Sequence, residues 1–123
     1  MEHRAAATLG RTGERLALEH YERLGFELVA RNARTPSGEL DLIVADRDSL
    51  VFVEVKTARA GAIDPLDSLT ARKRRRVRRA AGEWLARNRP PPGRRELRFD
   101  AVAVVIDRAG RLLALEQLEA IDC

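Results

Sequence analysis

The sequence is poor in the residues that would make several kinds of protein. Its single cysteine, Cys123, is the last of 123 residues, which excludes a disulfide framework and leads us to expect a reducing, cytoplasmic setting. No run of about eighteen apolar residues occurs, and the opening MEHRAAATLG lacks the apolar stretch of a leader peptide. Neither a membrane span nor an export signal is expected. Aromatic residues number five, Tyr21, Phe26, Phe52, Trp84 and Phe99, too few for the exposed stacking platforms on which RRM or OB surfaces hold bases. Lysine is scarcer still: Lys56 and Lys73 stand against 21 arginines.

What is present is a chain of one-domain length, residues 1–123, with no repeat and no low-complexity tail. A domain of this size buries roughly two-thirds of its unfolded surface and folds without staples. The net charge of +4 is unevenly spread, because residues 70–79, TARKRRRVRR, carry seven cations. Such a stripe is the footprint of a polyanion-binding face, or the solvated flank of a helix. With so few aromatics, a nucleic-acid partner would be gripped by its backbone.

Periodicity and punctuation give an order of elements. Residues 12–24 read as a helix capped by Thr12 and stopped by Gly25, with Ala17, Leu18, Tyr21 and Leu24 as its inward stripe. FELVAR, LDLIVA and LVFVEVK read as three strands joined by TPSG and DRDS turns. Residues 57–68 read as loop, Thr70 caps a second helix to about Arg87, and RPPPG ends it. LRFDAVAVVI and RLLALE then form a strand pair. The result is αβββαββ: an antiparallel meander, a helical crossover making the third and fourth strands parallel, and a final hairpin.

Within VFVEVKT (51–57), Glu54 and Lys56 break an otherwise apolar strand. A turn centred between Arg47 and Asp48 sets Ala45 against Leu50 and Val44 against Val51, which brings Asp41 opposite Glu54 and Lys56 opposite Glu39. Alternation then gathers Asp41, Ile43, Phe52, Glu54 and Lys56 on one sheet face. Two acids meet where an ion pair would place one, and like charges directly opposed are destabilising. A divalent cation would relieve this, and carboxylates without neighbouring His or Cys suit Mg²⁺ (or Mn²⁺), with the backbone carbonyl of Val55 as a further ligand. A half-buried cross-strand ion network would use the same residue types. Glu14 extends the inward stripe of the first helix by one turn, which aims it at the sheet, although a first-turn acid also suits the helix dipole. Arg72, Lys73 and Arg74 sit in the first turn of the second helix, where cations oppose the dipole unless a phosphate is bound there. Arg75 and Arg78 continue that face, and Arg98, further along the chain, is expected in the same nucleic-acid-binding set.

Together GRTGERLALEHYERLGFELVARNAR, GELDLI, VFVEVKT, TARKRRRVRRAA and RFDAVAV resemble the YraN family, small uncharacterised proteins predicted to be nucleases. That family is similar to archaeal Holliday-junction resolvases, within the restriction-endonuclease-like superfamily, whose motif is Asp, a spacer, then Glu-x-Lys. The resemblance covers about Gly10 to Val104. It implies a restriction-endonuclease-like α/β core with a mixed sheet flanked by helices. It also implies Asp41, Glu54 and Lys56 as catalytic residues with Glu14 as the helix-borne acid, and Lys73 and Arg98 at positions the family tends to keep. The implied activity is metal-dependent phosphodiester hydrolysis of DNA, including branched DNA, with a homodimer as one option for assembly. Departures are Ala58 directly after the Lys-Thr pair, and a C-terminal LEQLEAIDC in place of the family's usual segment. The alternatives are a non-catalytic nucleic-acid-binding module on the same scaffold, and an adaptor whose charged cluster is purely structural.

Overall fold

The computed structural model of the chain describes residues 2–61 and 69–121, with side chains from Thr8 onward. Helix α1 (Glu2–Arg23) begins ten residues before the expected Thr12 cap. The Ala5-Ala6-Ala7 run favours helix so strongly that neither Gly10 nor Gly13 interrupts it. It ends as expected at Gly25, whose φ of 95° is left-handed. The N–H of Phe26 bonds back to the Tyr21 carbonyl at 3.0 Å, and the two rings meet edge to face at 5.4 Å. This reversal carries Leu24 out of the expected inward stripe, to 53 % exposure, while Ala17, Leu18 and Tyr21 stay buried.

Five strands follow the expected order, β1 (Glu27–Thr35), β2 (Gly38–Ala45), β3 (Ser49–Arg59), β4 (Glu96–Ile106) and β5 (Leu112–Leu118), with helix α2 (Ala71–Arg87) between β3 and β4. They form one mixed sheet in sequence order. The first three strands are antiparallel, β3 and β4 are parallel over eleven rungs, and β5 closes as an antiparallel edge. Thr57 to Arg59, expected as loop, extend β3, because the parallel ladder continues to Arg59–Ile106. Ala60 and Gly61 form a turn after β3, and residues 62–68 of that expected loop lie outside the described residues. Thr70 caps α2 as expected, its hydroxyl accepting from the Lys73 N–H at 3.2 Å.

The sheet is covered by α1 on one face and α2 on the other. Leu42, Val44, Val51, Val53, Val55, Val102 and Val104 pack under Ala17, Leu18 and Tyr21. Leu40, Ile43, Leu50 and Phe52 pack under Val77, Ala80, Ala81 and Trp84. Strands buried on both faces explain why β2 to β4 read as near-continuous apolar runs. Among the described residues, no helix is long and apolar enough to cross a membrane.

Candidate active site

The hairpin register is the expected one as far as it goes: Ala45–Leu50, Val44–Val51, Ile43–Phe52 and Leu42–Val53. It stops there, one pair short of Asp41–Glu54. Beyond that point the Asp41 side chain takes the place of the backbone, and its Oδ2 accepts the Val55 N–H at 2.8 Å. Alternation in β2 also slips at Asp41, since Leu40 and Ile43 share the α2 face whereas Leu42 lies under α1. Asp41 therefore sits where two paired strands part, between the layers covered by the two helices.

Glu54 is 6 % exposed and continues the α2-facing alternation of Leu50 and Phe52. Lys56, two residues on, pairs with it, Nζ to Oε1 at 3.0 Å. The expected placement of Lys56 against Glu39 is not realised, because the ladder that would oppose them has already ended. Glu39 instead lies across from Arg34 in the β1–β2 ladder, and its Oε1 accepts from the Asn32 side-chain amide at 3.0 Å. Val55 enters the site through its N–H.

Glu14 does point at the sheet. It is half-buried, and its Oε1 accepts from the same Asn32 amide at 3.0 Å. The helix can come this close because residue 13 is glycine: a methyl there would overlap the Thr57 hydroxyl on β3. Beside Glu14 lies a cleft of about 350 Å³ lined by Arg11, Thr12, Arg31, Asn32 and Leu42.

The electrostatics identify the odd member. Burial, then the neighbouring Glu54 and Glu14 carboxylates, push the Asp41 carboxyl up to about 7, against the lowering influence of the Val55 N–H and Lys56. Glu14, Asp41, Glu54 and Lys56 are thus brought together, with one lysine among three acids. Asp41 Oδ1 and Glu54 Oε2 keep no protein donor among the described residues. No three Asp, Glu, His or Cys side chains among those residues form a ready-made metal cage. Two carboxylates with one free oxygen each fit an ion that retains most of its waters, which is the habit of Mg²⁺ rather than of Ca²⁺ or Zn²⁺.

The cationic residues divide. Arg72, Lys73, Arg74, Arg75 and Arg78 all lie on α2, over the face that carries Glu54 and Lys56, with Arg72 and Arg75 exposed. Arg78 stands over the Phe99 ring at 5.6 Å, and Arg76 reaches across Gly38. Arg98 does not join them. It pairs with Val51, toward the other end of β3, lies over Phe26 on the α1 side, and gives Nε and Nη2 to Asp100 at 2.9 and 2.8 Å. Sequence reasoning did not single out Asn32, Gly13 or Thr57. An asparagine within a strand and a glycine within a helix are each unfavoured there, and that cost was the available signal.

Fold and site define a mixed α/β protein with a carboxylate–lysine cluster where two central strands part. The chain matches the Uncharacterised protein family UPF0102 over residues 13–104. It is 49 % identical over 117 residues to a UPF0102 protein of Corynebacterium efficiens, covering 93 % of this chain and 91 % of the relative. A UPF0102 protein of Beutenbergia cavernae is 46 % identical over 108 residues, covering 87 % and 90 %. One of Pelotomaculum thermopropionicum is 43 % identical over 117 residues, covering 94 % and 95 %. The chain belongs to the UPF0102 family, which is the YraN family that its motifs resemble.

Proposed function

We propose that this protein is a restriction-endonuclease-like nuclease that hydrolyses DNA phosphodiesters with Mg²⁺ or Mn²⁺, acting on branched or structured DNA. The observation that carries the reading is Asp41, a buried carboxyl held beside two further acids with one lysine to offset them. Such a surplus weakens the fold, and a bound cation would offset it.

In this mechanism Asp41 and Glu54 would hold the ion. A bound Mg²⁺ would supply polarisation of a nonbridging phosphate oxygen and a lowered pKa for coordinated water. Lys56, fixed by Glu54, sets its ammonium beside the scissile phosphate and offsets the negative charge that develops as the new P–O bond forms and the leaving oxygen departs. Glu14 would hold a water of that ion and orient it for attack, and Arg72, Lys73, Arg74, Arg75 and Arg78 of α2 grip the backbone. Arg98, committed to Asp100, is left out of that grip.

A second reading, a binding module without turnover, draws on the exposed cations of α2 alone. The deciding experiment is a cleavage panel over single-stranded, duplex, flap and four-way-junction DNA with Mg²⁺ or Mn²⁺. Cleavage that Asp41→Ala and Lys56→Ala each abolish, with binding retained, is the expected result. Salt-dependent binding without cleavage of any substrate favours the module. In either case, removing one phosphate contact by Arg75→Ala should flatten the slope of log affinity against log salt by about 0.9 on duplex DNA.

A further inference from the structure

Asn32 has a non-glycine φ of 48° in the middle of β1. It lies between the rungs Arg31–Leu42 and Ala33–Leu40, hence across from Asp41. Left-handed backbone inside a strand is rare, and where it persists the surroundings hold it in place. Here the surroundings are two carboxylates from different elements. The Asn32 Nδ2 donates at 3.0 Å both to Glu14 Oε1 on α1 and to Glu39 Oε1 on β2.

Only asparagine meets both demands of this position. Its short polar side chain tolerates the left-handed region, and its amide nitrogen carries two donors with no charge. Glycine would satisfy the backbone and leave the carboxylates unlinked, whereas aspartate would add another acid to a site already in surplus.

We propose that Asn32 is a positioning residue of the acidic site: its amide ties the Glu14 carboxylate to Glu39 and so sets where Glu14 stands relative to Asp41. The inference rests on reading this end of the sheet as the working site, and it adds Asn32 and Glu39 to the residues that shape it. In this arrangement Asn32 and Glu39 touch neither ion nor substrate. They act through Glu14, as outer partners act on metal ligands elsewhere.

Two measurements on the full chain test it. In the first, the side-chain amide ¹⁵N–¹H signals of Asn32 are followed without metal. Glu14→Gln and Glu39→Gln should each shift them, and signals unmoved by Glu14→Gln would overturn the proposal. In the second, Mn²⁺ affinity is measured by electron paramagnetic resonance for Asn32→Gly, which keeps the backbone conformation and removes the amide. Affinity should fall about 10- to 100-fold with little change in melting temperature, and adding Glu14→Gln should weaken it no further than the worse single variant. Wild-type affinity in Asn32→Gly, or additive losses in the double variant, would overturn the proposal. A wild type that ignores Mn²⁺ sinks the nuclease reading instead, and the amide shifts then decide the positioning role by themselves.

Discussion

Two aspartates of the same sheet, both served by helix α1, have opposite environments. Asp100 on β4 is 1 % exposed, yet its two oxygens accept from Arg98 Nε and Nη2, the Tyr21 hydroxyl at 2.7 Å, Gln117 Nε2 and the Ala120 N–H. Asp41 on β2 is less buried and has one backbone donor, with acids for neighbours. Tyr21 and Glu14 lie on the same helix; one brings a hydroxyl to Asp100 and the other brings negative charge to Asp41. Burial alone therefore does not separate these two carboxylates. The balance of donors and like charges around each does, because a fully satisfied buried acid is a structural joint while an underprovided one is a candidate for the proposed site.

The largest effect should come from the satisfied acid. Asp100→Ala leaves the Arg98 guanidinium and the Tyr21 hydroxyl without their partner, and breaking a buried pair in this way typically costs about 3–5 kcal/mol. Burial together with Asp100 raises the Tyr21 phenol above its ordinary range, so the hydroxyl stays protonated as a donor, and Tyr21→Phe should cost less, about 1–3 kcal/mol. Urea denaturation of both variants checks this. An Asp100→Ala protein as stable as wild type would erase the contrast.

Asp41→Asn should do the opposite at neutral pH and above. The unfolded aspartate ionises near its ordinary value of 3.8, the folded one near 7. Between those values the folded chain keeps a proton that the unfolded chain has released, so this group's contribution to stability declines as pH rises from about 4 to about 7. Asp41→Asn removes that penalty and should be more stable than wild type at pH 8 by on the order of 1–3 kcal/mol. The two proteins should converge toward pH 4 and below, where Asp41 is protonated in the folded and unfolded chain alike. Saturating Mg²⁺ should raise the wild-type melting temperature at pH 8 and leave that of Asp41→Asn unchanged. Thermal melts across pH with Mg²⁺ or chelator give both comparisons; a variant less stable than wild type at pH 8 would make Asp41 a structural joint like Asp100.

Much of this contrast was legible in the sequence on one side only. The αβββαββ order, the hairpin register and the meeting of Glu14, Asp41, Glu54 and Lys56 follow from alternation, turn chemistry and charges set inside apolar runs. Those signals are local, and the helix and strand periods carry them. The Asp100 network was not legible. Tyr21 and Asp100 are 79 residues apart, and no periodicity links them. Arg98 was grouped with the α2 cations because charge was read along the chain, whereas the parallel pairing of β3 and β4 carries it to the other face and toward the other end of β3. The opposition of Lys56 to Glu39 failed because alternation assumes an unbroken ladder, and the ladder ends where Asp41 turns its side chain to Val55.

The smallest effect tests whether α1 sets the environment of Asp41 without disturbing that of Asp100. In an exposed helix interior Gly→Ala gains about 0.8–1 kcal/mol, but at Gly13 the added methyl would collide with Thr57, and overpacking costs about 1–3 kcal/mol. Gly13→Ala should therefore lose on the order of 1 kcal/mol net, and Thr57→Ala in the same chain should recover part of it by removing the hydroxyl and one methyl. The displaced turn moves Glu14 away from the sheet, which weakens its repulsion of Asp41, so the Asp41 midpoint should fall below its wild-type position of about 7. Tyr21 lies two turns further along, anchored by Asp100 and by the Phe26 reversal, and its ring resonances should hold their wild-type positions. Carbon-detected titration of the carboxyl groups reads the first effect and the Tyr21 aromatic signals read the second. An unmoved Asp41 midpoint would mean that burial and Glu54 alone account for its state, and that Glu14 stands near the site without acting on it.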